Sequence, residues 1–428
     1  MKLLPGLSAD LRRGMLLVQQ ARYRDAEVYF RRVLENAPED PRALHHLAFT
    51  LLYQDGRAKE AMVVGKKAVA AEPENPEHRA LLAFILNKLD RTTEALDAAK
   101  VAAEAAPESA FIFTAWAQGY IQQHRWAQAE EKAREALRLD PENSLAANQL
   151  ALALRQQNRM TESAEQLRGM LARDPEDPMT HSSAGWTALQ LGDQPDAESH
   201  FLEALRLDPD NATAREGLMS SYRSRTPFYR SYLKYCFAMN RLTGRVQISI
   251  VLGVFLVYLW VQKSAMMANS FTGGIIGLAY FLIMLWFWVA EAVGNFFILC
   301  DKNARHSLRK SEKLEAMLIG GGVLTGLGLV ALGLGTMWVV VYISGLTLLW
   351  SAIPFSLVIT NPSRLGRAIF LTLGIISFVS GWTIIAVFTG LPEEYRVYIP
   401  SLMLVVAISA LGSTWLGNIP ALRRPHVQ

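Results

Sequence analysis

The most restrictive feature of the sequence is a proline that returns at an almost constant interval through the first half of the chain. Each of these prolines precedes an acidic residue. They are Pro38, Pro73, Pro107, Pro141, Pro175 and Pro209, separated by 35, 34, 34, 34 and 34 residues. Proline cannot continue a helix, and acidic side chains favour a helix amino terminus, so each position predicts a turn that ends one helix and starts another.

Small and large residues repeat at the same period. Small residues precede the prolines by twelve positions, at Ala26, Ala61, Ala95, Ala129, Ser163 and Ala197. A large slot, eight positions before the proline, holds Phe30, Leu167 and Phe201. This pattern resembles the tetratricopeptide repeat family, whose helix–turn–helix unit has a 34-residue period. The resemblance implies six units at 7–40, 41–75, 76–109, 110–143, 144–177 and 178–211, with a capping helix at 212–224. The extra residue of the second unit is predicted in its internal turn, near Asp55 and Gly56.

The resemblance also implies a groove that binds a protein or peptide partner. In the family the first helix of each unit lines the concave surface and its ninth position points into the groove. Those positions here are Met15, Phe49, Phe84, Gln118, Leu152 and Trp186, and around them fall His45, Tyr53, Asn87, Lys88, Gln122, Asn148, Arg155 and Gln190. Large apolar residues at one end and amides in the middle suit an amphipathic or extended peptide.

Other roles for these side chains stay open. The carboxylate clamp of the family needs Asn at set groove positions, and no ninth position here holds Asn, so capture of a chaperone tail is not expected. The side chains could instead cover neighbouring helices, or the chain's own apolar half could fill the groove. Homo-oligomerisation through the groove is a further alternative. Such repeats serve unrelated partners, so the resemblance predicts fold more closely than function.

Charge and hydropathy divide the chain in two. Residues 1–224 carry a net charge of −6 and residues 225–428 a net charge of +10, within a chain of net charge +4 that is 51% hydrophobic. The basic residues of the second half fall between apolar stretches, as in loops at a membrane face. The first half has no run of interleaved basic and aromatic residues, so a nucleic-acid partner is not expected.

Six apolar stretches predict a transmembrane bundle that follows the repeats in an all-α protein. They are 246–262, 274–299, 316–335, 337–359, 368–389 and 398–416, with a tight hairpin predicted at Gly333–Thr336. The 301–315 and 361–367 loops and the tail with Arg423 and Arg424 are basic, whereas the alternate loops hold few charges. Both termini are therefore expected in the cytoplasm. The composition, rich in Ala, Arg and Leu, suits a bacterial inner membrane.

Residues 225–245 are predicted to form a basic amphipathic linker between a cytoplasmic solenoid at 1–224 and a transmembrane domain at 246–428. At helical spacing, Phe228, Tyr232, Tyr235, Met239 and Leu242 share one face, and Arg230, Lys234, Arg241 and Arg245 share the opposite face. This arrangement is typical of a helix lying on an anionic lipid surface. The alternative is a linker helix that packs on the repeat domain.

Glu291 is the one ionisable residue inside a predicted span, and Asn295 follows it by one turn. A charged carboxylate in hydrocarbon is costly, so Glu291 must be protonated, paired or facing water. No other charge within the spans is available to pair with it. A proton- or cation-sensitive site, a contact for a partner's helix and a neutral hydrogen-bonded acid all remain open.

The sequence contains no catalytic signature: HExxH, GxSxG, a P-loop and CxxC pairs are absent, and no metal or cofactor is expected. His45 and His46 are adjacent and point to different helix faces, so they are not an i, i+4 metal pair. The two cysteines, Cys236 and Cys300, predict no disulfide framework. The favoured hypothesis is a membrane-anchored scaffold that recruits partners for secretion, export or assembly of an envelope complex. The alternative is a transporter or membrane enzyme regulated by its repeats.

Overall fold

A computed structural model of the chain describes residues 5–268, 270–302, 304–361, 363–390 and 392–416. Every regular element in these ranges is helical, which confirms the predicted all-α class. The chain divides into two compact units: Met1–Leu218 with Ala238–Gly244, and Met219–Phe237 with Arg245–Gln428. These boundaries differ from the predicted ones at 224 and 245. Most residues of the predicted linker belong to the second unit. Arg423 and Arg424 lie outside the described residues.

Twelve helices of the first unit come in six pairs, followed by a single helix, as the period predicts. The pairs are α1 Pro5–Gln19 and α2 Tyr23–Asn36, α3 Pro41–Leu52 and α4 Ala58–Ala71, α5 Pro76–Lys88 and α6 Thr92–Ala105, α7 Ala110–Gln122 and α8 Trp126–Leu139, α9 Ser144–Gln156 and α10 Met160–Arg173, α11 Pro178–Leu191 and α12 Gln194–Leu207. The thirteenth helix, α13, covers Ala212–Ser224.

The repeating proline lies in the turn between two units, as predicted, and the next helix begins a few residues after it. Pro38 lies in the turn after α2, and α3 begins three residues later at Pro41. Between them Asp40 caps the helix, because its carboxylate accepts the backbone N–H of Ala43 at 2.9 Å. Asn143 caps α9 in the same way through Ala146 N–H at 2.9 Å.

The turn inside each unit has one residue in the left-handed region. These residues are Ala21, Gly56, Asp90, His124, Asn158 and Gly192, with φ between 55° and 89°. Five residues separate α3 from α4, whereas three separate α5 from α6. The extra residue of the second unit therefore lies in its internal turn, where the sequence predicts it.

The repeated large and small positions form the core of the first unit. Phe30, Leu167 and Phe201 are fully buried, and so are the six small positions from Ala26 to Ala197. A Cβ built on Gly217 would lie 2.2 Å from the ring of Phe201. The ring of Phe201 fits only because Gly217, on the neighbouring helix, has no side chain. The alternation of large and small residues therefore fixes how the units stack.

The first helices of successive units pack against one another. Contacts join α3 with α5, α5 with α7, α7 with α9 and α9 with α11, whereas successive second helices meet less. The first helices therefore form one layer of the unit. The free face of this layer is the predicted concave surface.

The second unit consists of long helices. They are α14 Pro227–Asn240, α15 Gly244–Ala268, α16 Ser270–Cys300, α17 Lys310–Glu315, a π-helical turn Ala316–Gly320, α18 Gly321–Thr336, α19 Val339–Thr360, α20 Arg364–Gly390 and α21 Ile399–Leu416. Within the part of the chain that the structure describes, four segments are long and apolar enough to cross a membrane: Leu282–Cys300, Lys310–Thr336, Val339–Thr360 and Arg364–Gly390. The predicted spans 246–262 and 398–416 are helical, in α15 and α21, but do not count among these four.

Helices α18 and α19 approach closely through glycine. A Cβ built on Gly345 would lie 2.6 Å from the carbonyl oxygen of Gly326. Gly326 therefore packs inside the unit. The predicted hairpin turn is displaced. The chain turns at Met337, which has φ of 58°, whereas Gly333 lies within α18 against the backbone of Tyr342.

Candidate functional site

The apolar end of the concave surface is an aromatic cluster. Phe49 and Tyr53 of α3 lie 4.8 Å apart by ring centroids, and Tyr53 stacks on Tyr23 at 5.1 Å. Phe84 of α5 contacts Phe111 of α7 at 5.2 Å. Phe49 and Phe84 are partly buried against the core, whereas Tyr53 and Met15 are exposed. The two exposed side chains therefore offer apolar contact area to a partner.

Amide side chains occupy the middle of the same surface. Asn87 of α5 is 3% exposed, and neither its Nδ2 nor its Oδ1 has a hydrogen-bond partner. Gln149 of α9 donates to Gln118 Oε1 of α7 at 3.1 Å, while its own Oε1 has no partner. Burying an amide without a partner is costly, so these groups require a partner that the described residues do not supply, such as water or a bound molecule.

The far end of the surface combines an amide, a cation and an indole. Asn148 Nδ2 donates to Thr180 Oγ1 of α11 at 3.1 Å, and its Oδ1 has no partner. Arg155 reaches the carbonyl oxygen of Ser183 at 3.5 Å. Trp186 contacts the buried ring of Phe201 edge-on at 5.6 Å, so part of this ring belongs to the core.

The remaining predicted groove residues lie near the carboxyl ends of the first helices. Lys88 and Gln122 are exposed, Leu152 and Gln190 are half-buried, and Gln190 Oε1 has no partner. The structure thus places thirteen of the fourteen predicted residues on the first helices, and Tyr53 at the carboxyl-terminal cap of α3. Sequence reasoning missed Tyr23, Phe111, Gln149 and Gln156.

His45 belongs to a histidine cluster at this surface. Its Nδ1 lies 3.0 Å from His78 Nδ1, and His78 Nε2 lies 3.2 Å from Glu72 Oε2. Because an ionised carboxylate only accepts, His78 donates from Nε2, and His45 must donate from Nδ1. Burial and the nearby His46 and His78 lower the pKa of His45 to about 3. The described residues contain no group of three side chains able to hold a metal.

Helix α14 packs through a face that the sequence did not single out. Tyr229 and Leu233 are buried, and they lie between the predicted aromatic and basic faces. Phe228 is 68% exposed, whereas Tyr232 and Tyr235 contact the ring of Phe287 on α16. Of the predicted basic residues, Arg230 and Lys234 are exposed and Arg241 is half-buried. The side chain of Arg245 lies outside the described part of the structure.

Glu291 and Asn295 belong to a polar cluster around Arg223. The Arg223 side chain is 8% exposed, and its Nε–H donates to Asn295 Oδ1 at 2.8 Å. Its Nη1 lies 3.3 Å from the hydroxyl of Tyr229, and its charge attracts that of Glu291. This attraction comes from α13, outside every predicted span, so the expectation that no charge within the spans pairs with Glu291 stays a prediction.

A second carboxyl lies near this cluster and was not identified from the sequence. Glu315 ends α17 and is buried, and its Oε1 accepts a hydrogen bond from Ser356 Oγ of α19 at 3.3 Å. It also interacts electrostatically with Glu291 and Arg223. Two carboxyls and one guanidinium therefore share one end of the apolar helices.

Two family profiles match the first half of the chain. The profile described as tetratricopeptide repeat matches residues 114–178 and 183–222. The profile described as anaphase-promoting complex, cyclosome, subunit 3 matches residues 19–102. The paired helices are tetratricopeptide repeats. This assignment confirms the resemblance inferred from the proline period, and the matched residues end before α14.

Several solved tetratricopeptide repeat proteins are similar to this chain. A thermophilic protein of Thermus thermophilus is 21% identical, with 42% of this chain and 98% of that chain covered and a TM-score of 0.40. PilF of Pseudomonas aeruginosa is 22% identical, with 49% and 95% covered and a TM-score of 0.38. PilW, a type IV pilus biogenesis factor, is 16% identical, with 50% and 100% covered and a TM-score of 0.41. No curated protein matches the chain.

Proposed function

We propose that the chain is a membrane-anchored scaffold whose tetratricopeptide repeats bind an extended segment of a partner protein. The observation that carries this proposal is Asn87, a buried amide in the concave surface whose donor and acceptor both lack partners. The backbone of an extended peptide supplies one C=O and one N–H in the spacing that such an amide accepts. The exposed rings and thioether at the other end of the surface supply apolar contact.

Membrane anchoring rests on the four long apolar helices and on the exposed apolar surface of α15. Ile248, Val257 and Trp260 of α15 are each more than half exposed, an arrangement that suits lipid as the surrounding medium. The finer proposal is a six-span bundle in a bacterial inner membrane with both termini in the cytoplasm. A reporter near Arg305 should then report cytoplasm, and one near Ala268 or Glu394 the other side. A reporter in the repeats that faces away from the cytoplasm would contradict it.

The exposed aromatic and basic side chains of α14 support contact with anionic lipid. Phe228 is exposed on one side of the helix, and Arg230 and Lys234 are exposed on the other. Rings in the headgroup layer and cations outward would hold the helix at the membrane surface.

The scaffold function can be tested by photocrosslinking in native membranes with the full chain. A photoreactive residue at Tyr53 probes the groove, and one at Val63 is a matched control, since Val63 is similarly exposed on the second helix α4. We expect a discrete protein adduct from position 53 alone. Equal adducts from both positions would contradict the groove, and an adduct of two copies of this chain would indicate the homo-oligomer instead.

Asn87→Leu separates binding from stability. Leucine has a similar volume and removes the unpartnered amide, so the melting temperature should stay equal or rise. The position-53 adduct should nevertheless decline, because a bound backbone loses its amide partner. An unchanged adduct would remove the observation on which the proposal rests.

The polar cluster of Arg223, Glu291 and Glu315 favours one alternative, a transporter or membrane enzyme regulated by its repeats. Ionisable groups among apolar helices commonly serve ion or proton movement. Proton flux into liposomes containing the purified chain tests this alternative. Flux that is lost in Glu315→Gln while the protein stays monodisperse would support it over the scaffold alone.

A further inference from the structure

Arg155 is a cation without a counter-ion in the concave surface. It lies in the last turn of α9, where no carboxylate of the described residues comes within 4.0 Å of its guanidinium. Its Nε is buried and has no hydrogen-bond partner, and its one described contact is the long one to the carbonyl of Ser183. Burial lowers the pKa of Arg155 to about 10, and no charged neighbour offsets this effect.

Arg159, four residues along the chain, has the opposite environment. It lies 2.7 Å from Glu130, and it also pairs with Glu162 on the same side of the repeat stack. Arg57 pairs with Glu27 and Glu60 at the equivalent position of the second unit. Arg57 and Arg159, in the turns inside their units, are therefore paired with carboxylates of the repeats. Arg155, on the predicted groove surface, is not. Arg155 is half-buried, so its guanidinium lacks a counter-ion from the described residues and stays accessible to a ligand from outside the chain.

Three amide side chains of α9 and α11, the helices that carry Arg155 and its contact Ser183, also lack partners. Asn148 Oδ1, Gln156 Oε1 and Gln190 Oε1 are buried acceptors without donors. Peptide N–H groups are donors, and a carboxylate is the acceptor that a guanidinium fork binds in a bidentate manner. One ligand that carries both, a peptide with a carboxylate, would satisfy all four side chains.

We infer that the groove at the fifth and sixth repeats is a carboxylate-recognition site, in which Arg155 binds an acidic side chain or the terminal carboxylate of a bound peptide. This inference rests on the proposed peptide-binding function. It differs from the family's carboxylate clamp, which depends on Asn at ninth positions that this chain lacks. The ninth position beside Arg155 is Leu152.

The test uses the full chain in mild detergent and arrays of random-sequence decapeptides. One array presents amidated carboxyl ends, so acidic side chains are its only carboxylates, and the other presents free carboxyl ends. We expect wild-type protein to favour peptides that carry a carboxylate by about tenfold or more, the value of a charge-assisted hydrogen bond. A preference for acidic peptides within the amidated array identifies a side-chain carboxylate, and tighter binding of the free-ended array than of the amidated array identifies the terminal carboxylate.

Arg155→Met should abolish this preference and leave the melting temperature equal or higher, because an uncompensated charge is removed. Arg155→Lys should restore only part of it, since lysine lacks the bidentate fork. Arg173→Gln, an exposed arginine of α10, is the control and should behave as wild type. A preference that survives Arg155→Met overturns the inference while peptide binding stands. Absence of peptide binding by the wild-type protein would instead overturn the proposed function and the inference with it.

Discussion

The segment Ala238–Gly244 groups with the repeats although the residues on both sides of it belong to the other unit. Two hydrogen bonds hold it to the turn between α7 and α8. Trp126 Nε1–H donates to the carbonyl oxygen of Arg241 at 3.0 Å, and His124 Nδ1 lies 3.2 Å from the carbonyl oxygen of Asn240. Trp126→Phe removes the first bond and keeps an aromatic ring. We expect the segment to open more often in this variant.

The size of the effect follows from one lost hydrogen bond. A net contribution of about 0.5–1.5 kcal/mol corresponds to an opening equilibrium raised about 2- to 13-fold. His124→Gly removes the second bond, and glycine accepts the φ of 55° that His124 adopts in this turn. The double variant should open more than either single one, although adjacent bonds need not add.

Amide hydrogen exchange on the full chain measures this opening directly. Exchange should accelerate at 238–244 and stay unchanged in α3 to α6, and trypsin should cleave faster after Arg241. Trp116→Phe is the control, because Trp116 faces Lys132 at 4.4 Å and is not among the two described donors to this segment. Unchanged exchange at 238–244 in the double variant would refute the assignment of these two bonds as the tether.

The remaining predictions concern pH, packing and the apolar unit. Because the pKa of His45 is about 3 in the folded state against an ordinary value of 6.5, the unfolded state binds the extra proton, and the melting temperature should fall as pH drops from 6.5 toward 3. His45→Gln should flatten this fall between pH 7 and 5. Gly217→Ala should destabilise by about 1–3 kcal/mol because its Cβ meets Phe201, whereas Gly169→Ala, with open space, should stabilise by up to about 1 kcal/mol in chemical denaturation. Ala129→Trp, at a fully buried position, should cost about 1–3 kcal/mol in the same assay. Glu291→Gln should leave membrane insertion and the position-53 adduct unchanged; loss of the adduct would show that this carboxyl matters to the scaffold.

The architecture of the repeats could be predicted because the residues that determine it recur at a fixed period. Each small residue from Ala26 to Ala197 must be small for the same geometric reason, so six copies of one signal reinforce each other. The repeating proline predicts the turn between units, but proline tolerates both a helix's first position and the turn before it. The start of the helix is decided locally, by the capping bond between Asp40 and Ala43.

The helices that carry the predicted groove residues follow from the sequence, but the packing of these residues does not. Helical position predicts Phe49, Phe84 and Trp186 on the inner surface, yet all three also pack against the core. Charges introduced there would destabilise the domain, so they are poor probes of binding. Tyr53 and Met15 are exposed and are the better probes. Likewise, the absence of a counter-ion at Arg155 depends on distances between helices that no periodicity reveals.

The polar cluster shows why the surroundings of Glu291 could not be predicted span by span. The predicted spans offer Glu291 no charge, and the charge that attracts it, Arg223, belongs to α13. Its guanidinium enters beside Gly294, where a Cβ would lie 2.9 Å from Arg223 Cγ, so the glycine on α16 makes room for the cation. Arg223 also bonds Asn295 and Tyr229, so its hydrogen bonds hold it in place without Glu291. Replacing Glu291 by Gln therefore removes an attraction but breaks none of these described bonds. A strong phenotype in that variant would have to come from the carboxylate's charge or proton, whereas a strong phenotype in Arg223→Met could come from structure alone.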